Sequence, residues 1–425
     1  MAPFIRNVLI ALYMKQNQRV AGAAMIILLV ACTSPGKKNE ATMTKKVKGT
    51  YGYDVEFFNE KNIEAIELKD TESGAAVLLI PGWQGRVMTS TAGGTGGTTF
   101  GWINYDLINS GEVSKQFNPF GGEERFWLGP EGGPYSIYFR EGQEQVYANW
   151  VVPPVLDTEH FEVTSRDPGQ VTFEKDAVLK NASGTAFRLA IKRKVSLLSN
   201  DMLSSLFGID IAAGLSVVGY QSENTITNNG DEAWTKGKGL LSIWMLGMFN
   251  PSPSTTVFIP YREEGTGVIV NDEYFGKVPS DRLIVENGTI FFKIDGKLRS
   301  KIGVPPGRAK ELCGSYDSEK DVLTLLWCSL PDEPKEYVNS GWGEQENPYE
   351  GDVINSYNDG PVEDGSIMGP FYEIETSSPA AALAPGESVT HGQRVVHIQG
   401  DRKKLAGIVN TLFGLDLDVI ASKFQ

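Results

Sequence analysis

Glu373 and Glu375 stand two residues apart in Phe371-Tyr-Glu-Ile-Glu-Thr376, a segment that reads as an extended strand. Successive side chains of a strand point to opposite faces, so these two carboxylates share one. Carboxylates on a sheet face are costly to bury without partners and mark a polar concavity, where one of them can move a proton. Glu375 is the candidate general base. A second group lies in Gly121-Gly-Glu-Glu-Arg-Phe-Trp-Leu-Gly-Pro-Glu-Gly-Gly133, too glycine-rich for a helix and too polar for a core strand. Its glycines allow a shaped loop that presents Glu123, Glu124, Arg125, Trp127 and Glu131 together. An indole stacks on the C–H face of a sugar ring, while carboxylates and a guanidinium bind hydroxyls. Glu124 is thus a second candidate catalytic carboxylate, and Glu123, Arg125, Trp127, Glu131 and Glu373 are candidate ligand-binding residues. Arg86, in Trp83-Gln-Gly-Arg86, offers a neighbouring wall. Trp342 and the trio Asn355, Tyr357 and Asn358 add flat faces and hydrogen-bonding groups of the kind found in glycan subsites. The same loops also suit polar segments that only rigidify the chain through Glu–Arg pairs and Asx turns.

Short alternating runs separated by Gly, Asn and Asp must position these residues. Strands are expected at Tyr53–Phe58, Ile63–Lys69, Ala75–Ile80, Gly85–Thr89, Phe161–Ser165, Val171–Lys175 and Phe187–Leu197. Further strands follow at Val217–Thr227, Leu240–Met248, Thr256–Tyr261 and Thr289–Ile294, with a hairpin around Tyr316–Asp321. Helical periodicity is confined to Trp102–Asn109 and Arg402–Thr411, the latter with Asp401 as N-cap and Gly414 as its end. More than a dozen strands without crossover helices make an all-β protein. A sandwich of ordinary size does not absorb some 350 residues, so a large antiparallel β-supersandwich with a short C-terminal helix is expected.

Several motifs agree. Glu375-Thr376, then Pro385-Gly386-Glu387 and His391, resemble the last two strands of the galactose mutarotase-like superfamily. Asn228-Asn-Gly-Asp-Glu232 resembles that superfamily's Asn-x-Gly-Asp-Glu turn. The stretch Asn118 to Gly133, together with Gly351-Asp-Val-Ile-Asn-Ser-Tyr-Asn-Asp-Gly360, is similar to a family of Bacteroidetes lipoproteins carrying a domain of unknown function. The resemblance covers roughly residues 50 to 400. It implies a supersandwich with a carbohydrate site, Glu375 as base and histidines from earlier strands as acid. The sequence departs from the pattern at that last point. Ile243-Trp-Met-Leu-Gly-Met-Phe249 stands where the superfamily has His-Pro-Tyr-Phe, His391 matches only the turn histidine, and His160 and His397 match nothing. Aldose 1-epimerase activity therefore stays open.

The N-terminus reads as an export signal: basic residues from Met14 to Arg19, then about a dozen apolar residues ending in Leu29-Val-Ala-Cys32. The apolar run is too short for a membrane span of roughly 20 residues and resembles a bacterial lipobox. Lipidation of Cys32 would make the bilayer a partner, and Thr33 after it points to the outer membrane. Four parts are expected: a signal peptide over 1–32, a flexible tether over 33–48, the supersandwich over 49–400 and a helical tail over 401–425. With 53 acidic and 39 basic residues the net charge is −14. No basic stripe appears, which argues against a nucleic-acid partner. Cys313 and Cys328 flank the expected hairpin, either as a disulfide or as two buried thiols. No zinc-type or EF-hand spacing is present, so no cofactor is expected, although acidic residues with backbone carbonyls could hold Ca²⁺. Three roles remain: a membrane-anchored glycan-binding or glycan-processing protein, a hydrolase or epimerase using paired carboxylates, and a structural envelope lipoprotein.

Overall fold

The computed structural model describes residues 47–425 apart from 212, 213, 334 and 363; the signal segment, Cys32 and most of the tether lie outside the described residues. Alternation such as Phe187, Leu189 and Ile191 against Arg188 and Lys192 yields strands with one face on a core. Ten strands form the largest sheet, and its centre is the hairpin Leu312–Asp317 and Val322–Cys328 followed by Ser388–Gly400, Leu215–Asn228 and Ala186–Leu198. A five-stranded sheet runs Ser300–Val304, Ile354–Asn358, Tyr372–Ser377, Ser242–Phe249, Arg125–Gly129, every neighbour antiparallel. A three-stranded sheet holds Ile66–Lys69, Ala76–Ile80 and Arg86–Thr91. This is the all-β supersandwich expected from the sequence.

The core lies between the large sheet and the five-stranded one. Val195, Val218, Tyr220, Ile226 and Val395 from the first join Phe126, Leu128, Ile243, Met245, Ile302 and Ile374 from the second in one buried cluster. Burying such a side chain contributes about 1.5–3 kcal/mol. The other face of the large sheet, with Val217, Leu323, Leu325, Val396 and Ile398, is covered by Leu405, Ile408 and Val409 of Arg402–Phe413 and by Leu417 and Ile420 of Leu417–Ser422. Asp401 caps the first helix by accepting from the backbone N–H groups of Lys403 and Lys404, and Gly414 ends it at φ 65°.

Three expectations need correction. Tyr53–Phe58 belongs to a helix, Tyr51–Glu60, because its buried residues Tyr51, Asp54, Phe57 and Phe58 follow a helical period against the three-stranded sheet. The glycine-rich block contains a fully buried edge strand, Arg125–Gly129, rather than being loop throughout. Ile354–Asn358, read as loop, is an interior strand of the same sheet. In the hairpin, Cys313 pairs with Leu326, so the cysteines are offset along the ladder, and of the two states left open in the sequence the buried free thiols are the one found. Burial pushes the Cys313 thiol up to about 12.

Candidate functional site

The period of two along five strands gathers the site onto the face of the small sheet that points away from the large one. Arg125 lies opposite Leu246, Trp127 opposite Trp244, Glu375 opposite Leu246 and Asn355, and Glu373 opposite Met248 and Tyr357. Lys301 lies opposite Tyr357. The reverse face belongs to the core, where Thr376 bonds His391 and Gln393 of the large sheet. Loops around Phe117, Glu131, Tyr147, Phe275, Trp342 and Met368 rise over this face and close a cavity of about 100 Å³.

Arg125, Trp127, Glu131, Trp342, Tyr357, Glu373 and Glu375, all singled out in the sequence, line that one cavity. Charges alternate around it. Arg125 is ion-paired with Glu373, and Lys301 donates to Glu375 Oε2 at 2.8 Å, an oxygen that also accepts from Trp244 Nε1 at 2.9 Å. Burial drives the Glu373 carboxyl up to about 7; Arg125 opposes this and Glu375 adds to it. Burial likewise pushes Glu131 up to about 7, with Lys301 opposing and Glu375 adding. Burial works against the charge of Lys301, yet Glu375 and Glu131 overcome it and hold the ammonium above the ordinary lysine range. The cavity therefore keeps fixed cations beside two carboxyl groups that change charge near neutrality.

Buried polar atoms are almost always hydrogen-bonded, so exceptions point to something missing. Five such atoms sit on residues lining this cavity: Arg125 Nε and Nη1, Trp127 Nε1, Trp150 Nε1 and Glu375 Oε1. A larger hollow of about 580 Å³ opens elsewhere, lined by Phe100, Trp102, Thr324, Tyr372 and His397 among others. Its polar groups bond one another instead. Thr324 pairs with His397 Nδ1 at 2.9 Å, His397 Nε2 with Glu123 at 3.1 Å, and Ser315 with Tyr372 at 2.8 Å. Size favours the larger hollow, but unmet bonding capacity favours the smaller.

The remaining sequence candidates lie elsewhere. Glu124 points into the core, where Arg193 Nη2 at 2.6 Å, Gln393 Nε2 at 2.8 Å and Ser222 Oγ at 3.0 Å fill both its oxygens. It precedes Arg125 and so faces the opposite way. Glu123 is held between Ser90 of the three-stranded sheet and His397 of the large one, because the turn at Gly121 and Gly122, φ 100° and 119°, redirects the chain before the strand begins. Arg86 is buried against the carbonyl of Gly121 and the side chain of Gln84. Asn358 alternates to the reverse face and binds the carbonyl of Leu298. Asn355 shares the site face but is engaged by Tyr274 and the carbonyl of Ile302, outside the cavity lining. No histidine reaches the cavity: His160 is exposed near Glu162, and burial holds His391, bonded to Thr376, down to about 4.

Sequence reading missed Lys301, Arg299 and Trp244. Arg299 and Lys301 stand two apart, the same signal that singled out the glutamates. Trp244 was visible only as the residue replacing an expected histidine motif. Among the described residues no group of three or more His, Cys, Asp or Glu side chains is placed to hold a metal ion. The cavity's carboxylates are balanced by Arg125 and Lys301.

An antiparallel supersandwich with a roofed, charge-alternating cavity on its smaller sheet is the class of molecule that fold and site define. The chain belongs to the family of unknown function DUF6786, which matches residues 49–424. The Slr1438 protein from Synechocystis sp. PCC 6803 has a similar structure at 12% identity, covering 80% of this chain and 96% of that one with a TM-score of 0.50. A galactose mutarotase-like protein from Lactobacillus casei ATCC 334 aligns at 11% identity over 79% of this chain and 100% of that one, TM-score 0.44. A galactose mutarotase related enzyme from Lactobacillus acidophilus aligns at 9% identity over 79% and 97%, TM-score 0.44. No curated protein matches the sequence.

Proposed function

We propose that this chain is a glycan-binding lipoprotein, held at the outer membrane by lipid on Cys32 and presenting a sugar site on its small sheet. The observation that carries the binding reading is the convergence of unpartnered N–H groups and one unpartnered carboxylate oxygen with indole and phenol faces in one cavity. A polyol supplies both hydroxyl acceptors for Arg125, Trp127 and Trp150 and a hydroxyl donor for Glu375. A purely structural role leaves those groups buried and unmet, which costs about 1–3 kcal/mol each. The anchor rests on the Leu29-Val-Ala-Cys32 pattern and the polar tether after it. Cys32→Ser is expected to move the protein from the membrane to the soluble fraction, and its retention at the membrane rejects the anchor.

The test of the site is a glycan array probed with the full chain and two variants. Trp127→Ala and Glu375→Gln are each expected to abolish the signal while circular dichroism stays unchanged. Unaltered signals in both reject the assignment. A second, catalytic reading is favoured by one observation: Glu131 and Glu373 titrate near 7 beside Glu375. Glu375 Oε1 would take the proton of the anomeric hydroxyl as the bond from C1 to the ring oxygen breaks. A protonated Glu131 or Glu373 would give one to that oxygen, and reclosure on the other face inverts C1. Polarimetry on an array hit checks this, since exchange no faster than in buffer leaves binding alone.

A further inference from the structure

The cavity is too small for the ligand it implies. Its volume of about 100 Å³ lies well below the roughly 300–1,000 Å³ of small-molecule sites, so only the leading part of one sugar fits below the rim. That rim is aromatic and faces solvent. Tyr147 is 58% exposed and Trp342 39% exposed, yet both line the mouth of the cavity. Their rings lie nearly parallel to the buried Trp150, with centroids 6.0 and 6.2 Å from it and planes tilted by 20° and 28°. The loops that carry them are pinned before any ligand arrives. Gln145 accepts from the backbone N–H groups of Gly133 at 2.9 Å and Gly343 at 2.8 Å and donates to the carbonyl of Gly133 at 2.7 Å, joining three loops. Gln345 ties its own loop to the carbonyl of Asn339 at 3.1 Å. A Cβ at Gly132 would strike the carbonyl of Gly341, so these loops meet as closely as backbone allows.

Exposed aromatic rings on a pinned support, continuous with a polar cavity, are preorganised surface for a second apolar face. On the reading of the cavity as a sugar site, we infer that it holds the terminal residue of a longer glycan and that Tyr147 and Trp342 form an outer subsite on which the adjoining sugar stacks. The ligand is then the end of an oligosaccharide rather than a free monosaccharide.

The experiment titrates the full chain with glucose, galactose and galacturonate and with their α- and β-linked di- and trisaccharides. The wild type is expected to bind the trisaccharide of its preferred sugar about tenfold or more tightly than the monosaccharide, the worth of about one stacked ring. Tyr147→Ala should weaken the trisaccharide about tenfold but the monosaccharide by no more than about threefold, and Trp342→Ala, whose ring also lines the cavity, should weaken both but the trisaccharide more. Glu375→Gln should weaken both. Equal affinity of the wild type for the two lengths, or rim variants that weaken both lengths equally, overturns the outer subsite while the sugar site stands. Binding of no sugar at any length is a separate result that overturns the sugar site and the subsite with it.

Discussion

Arg193→Met is expected to destabilise the fold by about 3–5 kcal/mol while leaving the walls of the small cavity in place. Arg193 and Glu124 form an ion pair with neither side chain exposed. Arg193 also donates to Asn224 at 2.6 Å and to the carbonyl of Gly85 at 3.2 Å. Methionine replaces the stem but leaves the Glu124 carboxylate buried with only Ser222 and Gln393. A second change, Glu124→Gln in that background, should recover part of the loss because it removes the stranded charge. Urea unfolding of the two single variants and the double variant measures the coupling directly. If Glu124→Gln alone abolished glycan binding without lowering stability, the carboxylate would regain the site role its sequence position first indicated.

Lys301→Met should be the second largest change and act on both stability and binding. Lys301 is the cation nearest Glu375 and also holds down the carboxyl of Glu131. Its loss leaves three carboxyl groups facing Arg125 and Arg299 around one small cavity, a cost of about 3 kcal/mol at pH 8. The sign with pH follows from the raised carboxyls. A group whose folded pKa lies above its unfolded value destabilises fully above the folded value, and the penalty fades as pH falls towards the unfolded value. Glu131 and Glu373 already titrate near 7, and removing the ammonium, which holds both down, moves them further upward. The difference between variant and wild type should therefore shrink steadily from pH 8 to pH 5. Denaturant midpoints across that range test it, and a difference that grew on acidification would contradict the charge arrangement.

What the sequence disclosed follows from which physical rules act locally. Glu373 and Glu375 were legible because two residues in a strand share a face whatever they pair with. The same spacing at Arg299 and Lys301 was open to the same reading, but Lys301 lies in the short strand Ser300–Val304 and Arg299 just before it, after a glycine turn, and the stretch reads as loop. Arg125 and Trp127 were recognised as site residues for an inexact reason. They project from an edge strand, not a shaped loop, and strand parity is what sends Glu124 away from them. Tyr51–Glu60 shows tertiary packing overriding a local pattern: its aromatic alternation suits a strand, yet Asp54 is buried on a helix and bonded to Thr99 and Tyr105. The offset of Cys313 from Cys328 depended on where the turn falls, and a shift of two positions there was invisible in composition.

The floor of the cavity is assembled from strands beginning at residues 125, 242, 300, 354 and 372, laid side by side in an order unlike their order in the chain. Arg125, Trp127 and Trp150 come from one stretch of chain and Lys301, Glu373 and Glu375 from others far along it, so no short fragment carries the whole arrangement. A nascent or refolding chain consequently has no complete version of the pocket until Glu375 slots between its neighbours. Occupancy should then be felt as a clamp on the whole small sheet, tightening its slowest-exchanging amides together and leaving the helices behind the large sheet untouched.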